Sequence, residues 1–196
     1  FLKILAISTQ SSIPIYIIDS KMMGDFNSLA RKNVGVIYQG NELPPLQNKD
    51  GSPFVIWQPL EDDMHNYDAF FKQIYDARKP AVVFIDELSS ITGRTGIAPR
   101  YYSILLKQGR GMKISILTLT QMARYIPLEL LSQLMHVIIM NLNSDKDKKK
   151  LVDLVGDMAK IEIRDQHGFI YRDVRKPIRS NPPHYYSNAF EFLGIE

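Results

Sequence analysis

Cysteine is absent from the 196 residues, which removes disulfide frameworks, thiolate metal sites and thiol redox chemistry, and fits a cytosolic or otherwise reducing setting. Long hydrophobic runs are absent too. The longest, Ala81–Ile85, falls far short of the roughly 20 apolar residues that a membrane helix needs. Neither sign of charge dominates: Lys plus Arg number 24 and Asp plus Glu 21, a net +3 that permits nucleic-acid contact without demanding it. His65, His136, His167 and His184 are scattered with no H-E-x-x-H spacing, so no zinc site is expected. No G-x-S-x-G elbow places a serine on a strand-to-helix turn, which leaves a serine hydrolase without support. Internal repeats and low-complexity tracts are missing as well. What remains is 45% hydrophobic and 23% charged, enough for one compact soluble domain with a full core.

The order of elements follows from periodicity and breakers. Phe1 to Gln10 carries apolar residues at helical spacing and reads as a helix tail ended by Ser11, Ser12 and Pro14. Ile15–Ile18, Val34–Tyr38, Phe54–Trp57, Ala81–Ile85, Ile114–Leu119 and His136–Met140 are short apolar runs that predict strands, buried where both faces are apolar. Between them, Glu61–Lys79 carries the stripe Met64, Tyr67, Phe71, Ile74 and Tyr75 and predicts an amphipathic helix stopped by Pro80. Its aromatic residues, Phe70 included, are expected in the core rather than as a base-stacking platform. Shorter helices are predicted at Tyr101–Lys107 and Leu128–Leu134. A further one runs to Val155, capped by Asn143 or Ser144 with Asp147 in capping-box register and stopped by Gly156. Ser89–Pro99 holds Gly93, Gly96 and Pro99 and is expected to be a loop. Lys160–Asp165 and Phe169–Val174 flank Gly168 as an expected hairpin. Strands alternating with helices predict an α/β fold with a mainly parallel sheet covered on both sides.

The sharpest chemical feature is AVVFIDEL, in which a buried strand delivers Asp86 and Glu87 to its C-terminal edge, where ligands bind in open α/β sheets. One carboxylate there can hold Mg²⁺ through water and the next can orient and deprotonate an attacking water, as nucleotide hydrolysis requires. The strand ISILTLT ends in Gln121, whose amide could meet a γ-phosphate, and the strand ending IID-S-K puts Asp19 and Lys21 on the same rim. Arg110, before ISILTLT, offers a planar cationic fork to phosphate oxygens. Each of these residues has a plainer reading as a solvated side chain or a strand end that turns polar on meeting water; Asp86 and Glu87 least so.

Taken in order, IIDSKMMGDF, VVFIDEL, GRGMKISILTLTQ, HVIIMNL and SDKDKKKLVDLVG resemble the FtsK/HerA branch of the P-loop ATPases, over Phe1 to about Pro183. The resemblance implies a RecA-like sheet flanked by helices with a C-terminal β-hairpin. It implies a single ATPase domain over 1–196, with its core at about 1–160 and the hairpin and tail at about 160–196. It implies that Asp86 helps hold Mg²⁺, Glu87 activates water, Gln121 senses the γ-phosphate of ATP, and Asp19 lines the nucleotide site. Arg110 is implied as an arginine finger offered to a neighbouring subunit, with Lys21 a contact of the same trans kind. Family members are ring-shaped motors that pull double-stranded DNA, and domains of this length look most like viral genome-packaging ATPases. The partners implied are copies of the same chain, pentameric or hexameric, double-stranded DNA, and portal or capsid proteins, in the cytoplasm of an infected cell if the chain is viral.

One feature of the family is missing. No G-x-x-x-x-G-K-[ST] loop occurs in these residues, and that loop supplies the amides and lysine that hold phosphates. The expectation is therefore of roughly 25 to 40 further residues upstream of Phe1, enough for a strand, loop and helix start. For DNA, Arg94 and Arg100 lie among glycines just after the Asp86 strand and are candidates for salt-sensitive phosphate contact. Lys146, Lys148, Lys149 and Lys150 read better as a solvated helix face, and Arg124 as a phosphate contact, a subunit contact or a helix cap. The other readings are a cellular or conjugative DNA translocase and, outside the enzymes, an inactive ATPase-fold subunit of a DNA machine.

Overall fold

A computed structural model describes residues 13–93, 96–142, 144–188 and 191–192, so the expected helix tail at Phe1–Gln10, Arg94 and Asn143 lie outside the described residues. Five strands, β1 (Ile15–Ile18), β2 (Gly35–Gln39), β3 (Phe54–Gln58), β4 (Ala81–Ile85) and β5 (Ile114–Thr118), form one sheet in the order β2-β3-β1-β4-β5. Every pairing in it is parallel, with Ile18 opposite both Trp57 and Ile85, so the strand ends align along one edge. The chain falls into two compact units, Phe1–Gln121 and Met122–Glu196.

Both faces of the first sheet are apolar because helices cover both. On one side Ile15, Ile17, Phe54, Ile56 and Phe84 pack with Phe26 and Leu29, at the start and in the body of the short helix α1 (Asn27–Arg31). On the other, α2 (Met64–Ala77) buries Tyr67, Phe70, Phe71 and Ile74, an i, i+3, i+4, i+7 stripe. Trp57 meets Tyr67 and Phe70 with ring centroids 5.6 and 5.0 Å apart, and Phe71 meets Tyr102 of α4 (Arg100–Gln108) at 5.1 Å. Trp57 is fully buried, so truncating it to Ala costs about 3–5 kcal/mol. Helix α2 starts where the Asp63 carboxylate accepts from the His65 N–H at 2.9 Å and stops at Arg78, whose φ of 50° closes the last turn ahead of Pro80. A short helix, α3 (Leu88–Thr92), stands within the expected loop of Ser89–Pro99; the Glu87 carboxylate caps it by accepting from Ser89 N–H, and Gly93 ends it with φ 60°.

The second unit is antiparallel. Strands β6 (His136–Ile139), β7 (Phe169–Asp173) and β8 (His184–Tyr186) form a separate sheet in that order. His136–Met140 is thus neither a buried strand nor part of the parallel sheet: Ile139 is buried and Ile138 is 58% exposed, an alternation hidden by the apolar run. The C-terminal antiparallel pair is β7 with β8, not β7 with Lys160–Asp165. Both edges of β7 are taken by β6 and β8, and 161–165 runs as irregular chain that drops Ile163 into the core. Gly168 remains necessary, since a Cβ there would lie 2.5 Å from the Tyr185 hydroxyl. Helices α5 (Leu128–Gln133) and α6 (Asp145–Val155) complete the unit, and Leu151 and Val155 of α6 pack with Ala123, Ile139, Ala159 and Ile170. Ser144 caps α6 without a side-chain hydrogen bond, so the expected capping box does not form; Asp147 is engaged by Arg124 instead. Phe192 packs back on Phe169, Tyr171 and Tyr186. Among the described residues no helix is long and apolar enough to cross a membrane.

Candidate active site

Parallel pairing brings the C-terminal ends of β1, β4 and β5 to one edge, and the sequence puts its acids there. The main chain keeps pairing past the strands: Asp86 N–H donates to Ile18 O at 3.1 Å, Leu119 N–H to Ile85 O at 2.9 Å and Leu88 N–H to Leu119 O at 2.8 Å. Those bonds hold 86–88 against 119–121, so Thr120 and Gln121 meet Glu87 although 33 and 34 residues separate them in sequence.

Glu87 is 5% exposed and heavily bonded. Its Oε1 accepts from the Ser89 N–H at 3.2 Å, the Ser89 hydroxyl at 2.9 Å and the Thr120 hydroxyl at 2.9 Å. Its Oε2 takes the Gln121 N–H at 3.3 Å and the Lys21 ammonium at 3.3 Å. Burial pushes its pKa up, but the bonds from Ser89 and Thr120 and the charge of Lys21 outweigh burial and leave the carboxyl below its ordinary value. Asp86 goes the other way. Burial raises its pKa first; Lys21 opposes that, while the charges of Asp19, Asp25 and Glu87 add to the rise.

Asp86 is 8% exposed, and among the described residues its buried Oδ2 has no hydrogen-bond partner, nor has the hydroxyl of Ser20. A buried carboxylate oxygen with no donor, among other acids, costs free energy until a cation or donor arrives. The described residues hold no cluster of three or more His, Asp or Glu able to enclose a metal ion. A hydrated divalent cation, which keeps most of its water and takes only one or two carboxylates, could be held through the open oxygen of Asp86.

The remaining predicted residues are placed as follows. Asp19 is 1% exposed and its carboxylate is used internally, accepting from Gln58 Nε2 at 2.8 Å and Met22 N–H at 3.1 Å. Lys21 stands on the rim in ion-pair contact with Glu87 of its own chain. Gln121 reaches Glu87 through its backbone, and the residue is exposed. Arg110 is exposed on the 3-10 turn Gly109–Met112, which leads into β5, so it sits at the opposite edge of the sheet from Asp86 and Glu87 and does not converge with them. Arg100 is exposed at the start of α4, its guanidinium 5.8 Å from the Tyr101 ring centre. Arg124 donates to Asp147 from its N–H at 2.7 Å and its guanidinium at 3.1 Å, an internal tie in the second unit. Lys148 and Lys149 line an open hollow of about 690 Å³ together with Asp145 and Asp153, a mixed-sign surface consistent with a solvated helix face.

Sequence reasoning missed Ser89, Thr120 and Asp25. Thr120 had a signal, since it follows two residues after the strand that pairs with the one delivering Glu87. Asp25 lay within the quoted Gly-Asp-Phe stretch, but its approach to Asp86 depends on how the chain turns after β1.

No protein-family model and no curated protein sequence matches the chain. Solved structures do resemble it. The genome packaging NTPase B204 from Sulfolobus turreted icosahedral virus 2 in complex with AMP has a TM-score of 0.66 at 13% identity, over 94% of this chain and 87% of that one. Its complex with ATP-gammaS gives 0.65 at 12% identity, over 94% and 87%. B204, the DNA-packaging ATPase from Sulfolobus Turreted Icosahedral Virus, gives 0.56 at 17% identity, over 90% and 98%. Identities this low establish the fold, a RecA-like mainly parallel sheet flanked by helices.

Proposed function

We propose that the chain is the ATPase of a DNA-translocating machine of the FtsK/HerA type, packaging a viral genome. The observation that carries this reading is the pair Asp86 and Glu87 at the C-terminal end of an interior strand, one with an unpartnered buried oxygen and the other held firmly by its neighbours. Resemblance to packaging NTPases bound to nucleotides supports it. In this reading Glu87 accepts a proton from the water that attacks the γ-phosphorus, and Gln121 senses that phosphate. Asp86 holds Mg²⁺, which neutralises charge on the phosphates. Arg110 serves the nucleotide of a neighbouring subunit in a ring, a role its place on the far edge of the sheet accommodates. Arg100, with Arg94, contacts DNA phosphates.

The test is ATP hydrolysis by the full-length protein with Mg²⁺, with and without double-stranded DNA. Stimulation by DNA is the expected result; a folded protein that hydrolyses no nucleotide under either condition would leave an ATPase-like scaffold.

A further inference from the structure

We infer that the rim over the C-terminal ends of β1, β3 and β2 is a docking surface for a cationic, apolar segment of another protein, one that carries several lysines or arginines beside leucine-like side chains. The surface stands apart from the acidic pair that follows β4, and the inference does not depend on the ATPase reading.

Five large apolar residues are exposed along this rim: Met22, Met23, Leu43, Leu60 and Met64, with Met23 at 76% and Leu60 at 59%. They come from three stretches of sequence, and hydrogen bonds tie those stretches side by side. Asp19 N–H donates to Trp57 O at 2.9 Å and Gly40 N–H to Gln58 O at 3.0 Å, which continues the sheet past its strands. Asn41 Oδ1 takes the N–H groups of Leu60 and Glu61 at 3.1 and 3.2 Å, and Gln39 Nε2 reaches Met22 Sδ at 3.9 Å. Met22 holds φ at 49°, a left-handed backbone that costs a non-glycine residue free energy, and its N–H is fixed on the Asp19 carboxylate at 3.1 Å. Exposed apolar residues scattered singly need no explanation; five brought to one rim by a bonded frame do.

Charge selects the occupant. Glu42, Glu61, Asp62 and Asp63 are exposed on the same stretches, and among the described residues no cation pairs with any of them. Asp63 caps α2 and Asp62 takes the Tyr67 hydroxyl at 2.8 Å, but neither bond cancels a charge. Lys21, at the end of the rim, is engaged by Glu87. No group of three or more acids able to enclose a metal ion occurs among the described residues, so the negative charge is spread along the rim. A spread of that kind suits cations on long stems, and it repels DNA and anionic lipid. The unit's own exposed cations stand elsewhere. Arg31 and Lys32 close α1, Arg78 and Lys79 follow α2, and Arg110 and Lys113 precede β5, all at the opposite edge of the sheet, about 15 Å away along the strands. That edge carries none of the unit's exposed large apolar residues, so a second copy's basic edge would match the acids and leave the methionines and leucines uncovered. A foreign segment that joins both properties matches the whole rim, its apolar side chains on the adaptable methionines and its cations on the acids.

The experiment titrates the full-length protein into a fluorescein-labelled peptide of about 18 residues, with leucine at helical spacing and lysine elsewhere, and reads the anisotropy. Saturable binding is expected. Met23→Ser with Leu60→Ser, and separately Glu42→Lys with Glu61→Lys, should each weaken it about tenfold or more. All four positions are exposed, so the urea midpoints of both double variants should match the wild type. Oligolysine of the same length should bind the wild type more weakly than the amphipathic peptide, and a leucine–glutamate version should not bind. No saturable binding, equal affinity for the wild type and either double variant, or oligolysine as tight as the amphipathic peptide would overturn the inference. So would a drop in self-association of Met23→Ser with Leu60→Ser in sedimentation without peptide, because it would give the surface to a second copy. ATP hydrolysis enters none of these readouts, so failure of the ATPase reading and failure of the docking surface are told apart.

Discussion

The two units treat buried charge in opposite ways. In the second, every buried acid has its partner. Asp147, 3% exposed, takes the Arg124 N–H and guanidinium, and Asp173, 8% exposed, takes the Arg175 guanidinium at 2.8 and 2.7 Å. Arg172 is buried as well; it donates to the carbonyls of Leu154 and Lys176, while its Nε has no partner among the described residues, so the contrast between the units is one of acids. In the first unit Asp86 is equally buried, yet one of its oxygens has no donor among the described residues, and it lies among Asp19, Asp25 and Glu87. Acids buried to the same degree thus differ in whether each oxygen has found a donor among the described residues.

Removing acids on the two sides should therefore have opposite effects on stability. Asp147→Ala leaves the Arg124 N–H and guanidinium unpaired. Because Arg124 is partly exposed the loss should be about 2–3 kcal/mol, at the lower end for breaking a buried pair, read as a lower midpoint in urea unfolding. Asp86→Asn should stabilise the nucleotide-free protein, read as a higher midpoint in urea unfolding, because it removes a charge that burial and the neighbouring acids disfavour. The sign follows from linkage. The folded pKa of Asp86 lies above its unfolded value, so its ionised form costs stability at neutral pH, a cost that fades as pH falls through the folded pKa. A destabilised Asp86→Asn would break the comparison.

The smallest effect is expected at Asp173, where hydrogen bonds from Arg175 hold the carboxyl well below the usual carboxylate range. A depressed folded pKa contributes stability above the unfolded value, about 3.9 for Asp, and that stability is lost as pH falls toward the folded one. In Asp173→Asn the unfolding midpoint should fall less steeply below about pH 4 than in the wild type. Equal slopes would mean that the pair contributes nothing in solution.

Much of this was legible in the sequence where one local rule sufficed. The runs at 15–18, 54–57 and 81–85 are apolar on both faces, and they became interior strands whose ends carry Asp19, Asp86 and Glu87. The stripe of α2 and its stop at Pro80 were equally plain. What failed depended on partners distant in sequence. His136–Met140 looks like a parallel core strand until β7 is known to flank it, and 160–165 alternates like a strand but finds both edges of β7 occupied. Helix α1 is five residues long, too short for a helical period to register. Glu87 was legible as an acid on a rim, while the clamp that orients it was not. Ser89 acts through the cap of α3 and Thr120 through the register of β4 with β5.

The central claim is that Glu87 performs chemistry while its neighbours merely hold it. Glu87→Gln keeps the shape of the side chain and can still take hydrogen bonds from Ser89 and Thr120, but it cannot accept the proton of water. In the full-length protein the account predicts nucleotide binding near the wild-type level with turnover lower by about a hundredfold to ten-thousandfold. Turnover that survives in Glu87→Gln, with binding intact, would contradict it.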